Sequence, residues 1–204
     1  MITDELLSIY DGPGAAAYFG EAVTVTQHSL QAAFFAQRSD APDDLIVAAL
    51  LHDIGHLIEP APADIADWKT DARHEWVGSQ WLALRFGADV CEPVRLHVPA
   101  KRYLCAVDPD YFGALSAASV VTLGLQGGPM SHSEAQTFEA ESHFREAVRL
   151  RQWDDQAKIA GLPTPDFAHY APMIERLAAR QSALGRQVPD KAGATADVRV
   201  RSLK

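Results

Sequence analysis

A histidine and an aspartate stand side by side in the most apolar stretch of this chain. His52 and Asp53 interrupt residues 45–58, in which most other side chains are apolar. Pro42 ahead of this stretch and Pro60 behind it predict that it forms one buried helix. An ionised carboxylate in such a helix costs several kcal/mol unless a partner compensates its charge. Because a metal ion is the simplest such partner, the pair predicts a metal site inside a helical core.

The remaining sequence also indicates helices. Apolar residues recur at three- and four-residue spacings, and no segment alternates as a strand would. Besides the first helix, others are expected over residues 21–38, 71–86, 91–97, 116–125, 142–159 and 167–181. Pro99 is expected just past one helix end, and Ser131 with Glu134 forms a predicted capping box. We therefore expect a single all-α domain over residues 1–183 and a loosely attached C-terminal tail over residues 184–204, where the periodicity stops.

Composition limits the partners of the chain. Its 204 residues carry a formal net charge of −9 and give a pI near 5.3, which argues against a nucleic-acid or anionic-membrane surface. No apolar run reaches the roughly 20 residues of a membrane span. Cys91 and Cys105 lie too far apart for a CxxC motif, and no signal-peptide pattern precedes them. We expect a cytoplasmic protein that holds any anionic substrate through local cations.

Several predicted helices each carry a residue that can bind a metal. The candidate ligands are His28, His52, Asp53, His74, His97 and Asp154. Imidazoles with carboxylates suit first-row transition ions better than calcium or magnesium, so iron, manganese and zinc all fit. Any one of these histidines alone could be an ordinary core or surface residue. The ordered set, in a chain with eight histidines, is what predicts a metal site.

Two neighbours of these ligands leave alternatives open. Asp155 is the rival of Asp154 for the last ligand position. Lys158, one helical turn after Asp154, could hold its carboxylate, which favours Asp154. His56 lies one turn after His52 on the same helix face, where it can support a ligand or contact a substrate.

Six short motifs carry a family resemblance. They are YFGE at 18–21, QHSLQ at 27–31, LLHDIGH at 50–56, HVPAKRYLC at 97–105, LQGGPM at 125–130 and RQWDD at 151–155. Together they resemble the HD-domain superfamily and, within it, the mixed-valence di-iron phosphonate oxygenases of the PhnZ and TmpB type. The resemblance covers about residues 18–170. It implies an HD-domain helical bundle with a metal site in its core.

The resemblance also implies a cofactor and residue roles. The cofactor would be two iron ions, as an Fe(II)/Fe(III) mixed-valence cluster, with O₂ as co-substrate. One iron would be held by His28, His52, Asp53 and Asp154, and the other by His74, His97 and a bridging Asp53. Tyr18 resembles a phenol that occupies an iron until substrate arrives, and Glu21 resembles a carboxylate that meets the substrate's ammonium group. The positions that match those around the phosphonate oxygens are His56, Lys101, Ser119 and Thr122; Asp53, His56 and Lys101 would be catalytic.

The substrate implied is a small zwitterionic hydroxyphosphonate. The first candidate is (R)-1-hydroxy-2-(trimethylammonio)ethylphosphonate, oxidised to glycine betaine and phosphate. The alternative is (R)-2-amino-1-hydroxyethylphosphonate, oxidised to glycine and phosphate. A quaternary nitrogen favours aromatic faces as well as a carboxylate, and core packing explains the available rings equally well. Those rings are Tyr18, Phe19, Tyr103, Tyr111 and Phe112.

Three other functions are compatible with these residues. A metal-dependent HD phosphohydrolase would use the same ligands to activate water on a phosphate ester. A non-catalytic HD module that binds a nucleotide or an anion would usually lack a complete ligand set. An inositol-type oxygenase would need a sugar pocket, whereas the opposite charges of Glu21 and Lys101 fit a zwitterion better.

Overall fold

The computed structural model describes residues 1–12, 15, 21–59 and 71–186. Its helices are α1 (Ile2–Tyr10), α2 (Val25–Arg38), α3 (Asp43–Leu51), α4 (Gly55–Ile58), α5 (His74–Ala83), α6 (Ala88–Val107), α7 (Tyr111–Ala114), α8 (Ala117–Leu125), α9 (His132–Glu139), α10 (Phe144–Gln156) and α11 (Phe167–Arg186). No strand occurs in the residues described. The predicted all-α fold class is confirmed.

Helix α3 is the centre of the core. All of its residues from 45 to 51 are buried. It packs against α2, α6, α10 and α11, so apolar side chains surround it on every face. Fully burying a side chain such as Leu50 or Leu51 contributes roughly 1.5–3 kcal/mol. This packing gives the residues that directly follow α3 a fixed position inside the bundle.

The prediction of one continuous helix over residues 45–58 is wrong. Helix α3 ends at Leu51, and the chain tightens into three-residue turns before α4, with the Ile54 amide 3.1 Å from the Leu51 carbonyl oxygen. The reason lies at Gly55, whose main chain lies against the first turn of α5. A Cβ atom there would overlap the main-chain carbonyl of His74. The turn therefore brings the start of α5 beside Asp53.

Helix α6 is much longer than the predicted 91–97 segment. It runs over 20 residues, with Pro93 and Pro99 inside it. A proline in a helix interior costs about 3 kcal/mol, because it removes a donor and its ring crowds the preceding turn. Packing of α6 against α3, α5 and α10 offsets that cost. As a consequence, Lys101 lies one helical turn after His97 on the same helix, and not beyond a helix end.

Other helix ends differ by smaller amounts. Helix α2 starts at Val25 and not at residue 21, because Thr24 and Gln27 form a capping box. The predicted capping box of Ser131 and Glu134 is present before α9. Helices α1 and α7 were not predicted. None of the helices among the described residues is both long and apolar enough to cross a membrane.

The predicted tail falls mainly outside the described part of the chain. Helix α11 continues to Arg186, past the predicted tail start at residue 184. Residues 187–204 lie outside the described residues, as do Tyr18 and Phe19.

Candidate metal centre and substrate cleft

The six candidate ligands form two adjacent groups in the core. The first group is His28, His52 and Asp154, and the second is Asp53, His74 and His97. Within each group the ligand atoms all lie within 4.8 Å of one another. All six side chains are buried. Helices α2, α5, α6 and α10 and the turn after α3 thus converge on one place.

Asp53 lies between the two groups and faces both. Its Oδ2 atom lies 3.5 Å from Nε2 of His28 and 3.5 Å from Nε2 of His52. Its Oδ1 atom lies 3.3 Å from Nε2 of His74 and 3.7 Å from Nε2 of His97. Each oxygen can therefore ligate a different ion, which is the geometry of a bridging carboxylate.

Main-chain carbonyls orient three of the four imidazoles. The Nδ1 distances to carbonyl oxygens are 2.8 Å from His28 to Ala157, 2.8 Å from His52 to Ala49 and 2.7 Å from His97 to Val94. Because a carbonyl only accepts hydrogen bonds, each Nδ1 carries the proton and each Nε2 offers a lone pair to the centre. This is the tautomer that a metal ligand needs.

The Nε2 atoms face each other in pairs. His28 and His52 bring theirs within 3.0 Å, and His74 and His97 bring theirs within 3.1 Å. Two ligand atoms that are each roughly 2.1 Å from a metal, at right angles, are about 3.0 Å apart. Facing lone pairs repel unless a cation lies between them. The donor set and its spacing therefore fit two transition-metal ions.

Electrostatics favours the ligating protonation states of Asp53 and His97. Burial alone would raise the pKa of Asp53, but the nearby imidazoles of His52 and His74 outweigh it and hold that pKa well below its usual range. Burial, and then His74, hold the pKa of His97 well below its usual value. Burial would lower the pKa of His74, but its hydrogen bond with Asp53 outweighs burial and raises that pKa. Without a metal, the core thus favours an ionised Asp53 beside a neutral His97, and a metal ion would displace any proton from Nε2 of His74.

Arg151 holds Asp154, which corrects the predicted role of Lys158. Oδ1 of Asp154 lies 3.3 Å from Nε2 of His28, and its Oδ2 forms a 2.8 Å ion pair with Nη1 of Arg151. Burial would raise the pKa of Asp154, but the guanidinium brings it well below its usual range. The ammonium of Lys158 instead contacts other cleft residues. Arg151 stands three residues before Asp154 inside the RQWDD motif, so helical spacing could have identified it.

The rival carboxylate, Asp155, does not join either group of candidate ligands. Nε of Arg151 donates a 3.0 Å hydrogen bond to its Oδ2, and the hydroxyl of Tyr111 also donates to it. One guanidinium thus separates the two neighbouring aspartates. Asp154 faces the imidazoles, and Asp155 ties α7 to α10.

The cleft above the two groups contains the other predicted site residues. It is lined by Glu21, His56, Lys101, Ser119 and Thr122 together with ligands of both groups. The predicted Tyr18 lies outside the described residues. The structure therefore brings together all of the described candidates for substrate binding.

Lys101 is a buried cation in this cleft. It is only 2% exposed, and its Nζ atom donates a 2.9 Å hydrogen bond to Oγ1 of Thr122. Burial, and then repulsion by Arg151, lower the pKa of Lys101 to about 7. An ammonium group held in this way binds an anion strongly, because little water competes with it.

His56 is placed by ring stacking. Its ring lies parallel to that of His74, with centroids 3.9 Å apart and an interplanar angle of 17°. Burial, and then His74, hold its pKa well below the usual value. A neutral ring at the cleft wall can both support His74 and reach a substrate.

A protein-family model for the HD domain matches residues 25–137, which is more than half of the chain. The chain belongs to the HD-domain family. The matched range contains five of the six candidate ligands, and Asp154 lies beyond it.

Three relatives extend the match across most of this HD-domain protein. A [1-hydroxy-2-(trimethylamino)ethyl]phosphonate dioxygenase (glycine-betaine-forming) of Leisingera caerulea is 41% identical over 176 residues, covering 86% of this chain and 90% of that protein. A hydroxymethylphosphonate dioxygenase of Gimesia maris is 48% identical over 160 residues, covering 78% and 80%. The uncharacterized protein L432 of Acanthamoeba polyphaga mimivirus is 35% identical, covering 84% and 80%. The resemblance to HD-domain phosphonate oxygenases is confirmed.

Two further polar residues line the HD-domain cleft and were not predicted to do so, Lys158 and Gln126. Gln126 stands in the LQGGPM motif, which gave it no role. Lys158 was assigned to Asp154 by helical spacing, but α10 ends at Gln156, so that spacing does not apply. Residues beyond a helix end do not follow its periodicity.

Three of the aromatic rings considered for a quaternary nitrogen, Tyr103, Tyr111 and Phe112, lie away from the cleft, and the other two fall outside the described residues. Tyr103 donates to Glu139 and packs in a second, smaller core cluster. Tyr111 binds Asp155, and Phe112 is 47% exposed. Among the described residues, no phenyl, phenol or indole ring lines the cleft.

Proposed function

We propose that this HD-domain protein is an O₂-dependent oxygenase that cleaves the C–P bond of a small 1-hydroxyalkylphosphonate in the cytoplasm. Two iron ions, as an Fe(II)/Fe(III) pair, would be its cofactor, and residues 1–183 would form the catalytic domain. The observation that carries the proposal is Asp53, whose two oxygens face two separate His/Asp groups. The phosphonate dioxygenase names of two relatives support the substrate class.

The first candidate substrate is (R)-1-hydroxy-2-(trimethylammonio)ethylphosphonate. The relative from Leisingera caerulea, with 90% of its length covered, supports this choice. One O₂ converts the compound into glycine betaine and phosphate: the carbon that loses phosphorus becomes a carboxylate, and both products gain one oxygen atom. The carboxylate of Glu21, which lines the cleft, is suited to the cationic nitrogen. The primary amine analogue, which would give glycine, uses the same contacts.

A second candidate is hydroxymethylphosphonate, which has no nitrogen and would give formate and phosphate. The ammonium of Lys158 lies 3.6 Å from Oε1 of Glu21, so this carboxylate already has a cationic partner. The relative from Gimesia maris supports the same candidate.

Different residues of the chain would bind the ions and the substrate. His28, His52, Asp53 and Asp154 would hold one ion, and Asp53, His74 and His97 the other. When bound, the ions would activate O₂ and carry electrons to it from the substrate. Lys101 and Thr122 bind the phosphonate oxygens, with Ser119 on the same face of α8, and His56 closes the wall beside His74. Buried side chains keep water away from the reacting carbon, and a fixed substrate position accounts for a large part of such a rate enhancement.

A metal-dependent phosphohydrolase remains the competing function, because the same donor set can activate water on a phosphate ester. The two functions differ in their need for O₂. Cleavage of a 1-hydroxyalkylphosphonate to a carboxylate and phosphate requires an oxidant, whereas ester hydrolysis proceeds without one.

The test uses the full chain loaded with iron under anaerobic conditions. Each phosphonate is then added with and without O₂, while phosphate release and O₂ consumption are followed. We expect one O₂ consumed per phosphate released, and ¹⁸O from ¹⁸O₂ in the carboxylate product. Phosphate release from simple phosphate esters without O₂, together with inert phosphonates, would replace the proposal with the hydrolase.

A further inference from the structure

Lys158 lies where two sets of cleft side chains meet. Its Nζ atom lies 3.0 Å from Oγ of Ser119 and 3.3 Å from Oγ of Ser116. The same atom lies 3.6 Å from Oε1 of Glu21. The side chain is only 14% exposed. Its charge therefore acts inside the cleft, where solvent screens it weakly.

Glu21 is the cleft carboxylate that a substrate cation would meet. Asp53 and Asp154 also line the cleft, but their oxygens face the imidazoles of the two ligand groups and, in Asp154, the guanidinium of Arg151. Glu21 accepts a 2.6 Å hydrogen bond from Ser116 in addition to its contact with Lys158. A cationic nitrogen that approaches Glu21 thus meets an ammonium as well as a carboxylate. Like charges a few ångströms apart repel in a partly buried site.

The same ammonium has the opposite effect on an anion. Ser119, its closest hydroxyl partner, lies on α8 one turn before Thr122, which is held by Lys101. An anion bound against this face of α8 has Lys101 on one side and Lys158 on the other. A second cation strengthens the binding of a doubly charged phosphonate.

We propose that Lys158 determines specificity among hydroxyphosphonates. Its ammonium favours those that carry no cationic nitrogen and disfavours those that do. This inference rests on the proposed function, because it concerns the choice of substrate at the same site. One residue outside both ligand groups would thus decide which of the two substrate classes is preferred.

The test compares Lys158→Met, which removes the charge and keeps the length, with Lys158→Arg, which keeps the charge. Arg145→Met, at an exposed position in the first turn of α10, is the control for the same change in net charge. For each protein, kcat/KM is measured with hydroxymethylphosphonate and with its trimethylammonioethyl counterpart. In Lys158→Met the ratio should shift roughly tenfold toward the trimethylated compound, which corresponds to about 1.4 kcal/mol. The ratio should stay close to that of the unchanged protein in the other two variants.

Binding supplies a second readout, independent of turnover. Anaerobic titration calorimetry of the iron-loaded proteins should show the Kd ratio of the two phosphonates shifting in the same direction. Should Lys158→Met lose helicity by circular dichroism, Lys158→Gln gives the same test and keeps a polar group for the two serines.

The outcomes separate this inference from the proposed function. If both phosphonates weaken equally in Lys158→Met, the residue is a general anion contact and the specificity role is wrong. If neither phosphonate is turned over by the unchanged protein, the proposed function fails, and the Kd ratio still tests Lys158.

Discussion

The deep and the shallow halves of the cleft are held by different kinds of contact. In the deep half, main-chain carbonyls fix the rings of His28, His52 and His97. In the shallow half, side chains hold side chains, as in the pairs Lys101 with Thr122 and Lys158 with Ser119. Two of these carbonyls belong to the buried helices α3 and α6, and the third, that of Ala157, is buried just after the end of α10. In contrast, only two residues of α8 are buried.

This difference indicates which half is preorganised. A carbonyl of tightly packed, buried main chain cannot turn away, so the ligand positions are set before any metal binds. The hydroxyl groups of half-exposed α8, and the ammonium groups that donate to them, can exchange partners when a substrate enters. We therefore expect changes in the deep half to remove the metals, and changes in the shallow half to alter substrate affinity and choice.

The largest effect is expected from Asp53→Ala, because this side chain faces both groups. The variant should lose most of its iron and its turnover, since losing several kcal/mol of metal-derived stabilisation lowers the rate roughly a thousandfold. Iron is measured by a chelator assay after desalting, next to Asp89→Ala, which removes an exposed carboxylate. Normal iron content in Asp53→Ala would contradict the bridging role.

Lys101→Met tests the shallow half with the ligands intact. This variant loses a charge-assisted hydrogen bond to the phosphonate, which is worth about 1.5–3 kcal/mol. Its KM for a phosphonate should therefore rise by roughly tenfold to a hundredfold. Iron content should stay unchanged. A variant with normal KM, or one that loses iron, would remove the contrast between the two halves.

The pH dependence sharpens the same contrast. Burial lowers the pKa of Lys101 to about 7, so its ammonium loses its proton as the pH rises above that value. Affinity for a phosphonate should then fall by up to about tenfold per pH unit between pH 7 and 9. Lys101→Arg stays charged over this range, so its pH profile shows the contribution of the substrate's own ionisation alone. The difference between the two profiles is then due to Lys101. Parallel pH profiles in the two proteins would show that Lys101 does not titrate here.

The smallest effects are expected from alanine substitutions at two glycines. They test how tightly the helices behind each half of the cleft are packed. Gly55→Ala forces a Cβ against the main chain of His74 and should lower the free energy of unfolding by roughly 1–3 kcal/mol. Gly124→Ala in α8 meets no atom within 4 Å and should raise it by up to about 1 kcal/mol. Chemical denaturation measures both. Equal effects would mean that α4 and α5 are packed no more tightly than α8.

The sequence by itself determined the helical fold class and the identity of the six grouped side chains. Apolar periodicity shows a helix without any knowledge of its neighbours, and a buried His and Asp pair requires a compensating partner wherever it lies. The motif strings added the family resemblance. These are local properties, so they can be read along the chain.

Only the tertiary structure decided how the site is completed. Packing keeps α6 helical past Pro99, so Lys101 lies one turn after His97. The close approach at Gly55 ended the helix of the HD pair early. Arg151, and not Lys158, came to hold Asp154, which left Lys158 beside Glu21. Each result depends on contacts between segments far apart in sequence, where packing energy outweighs local preference.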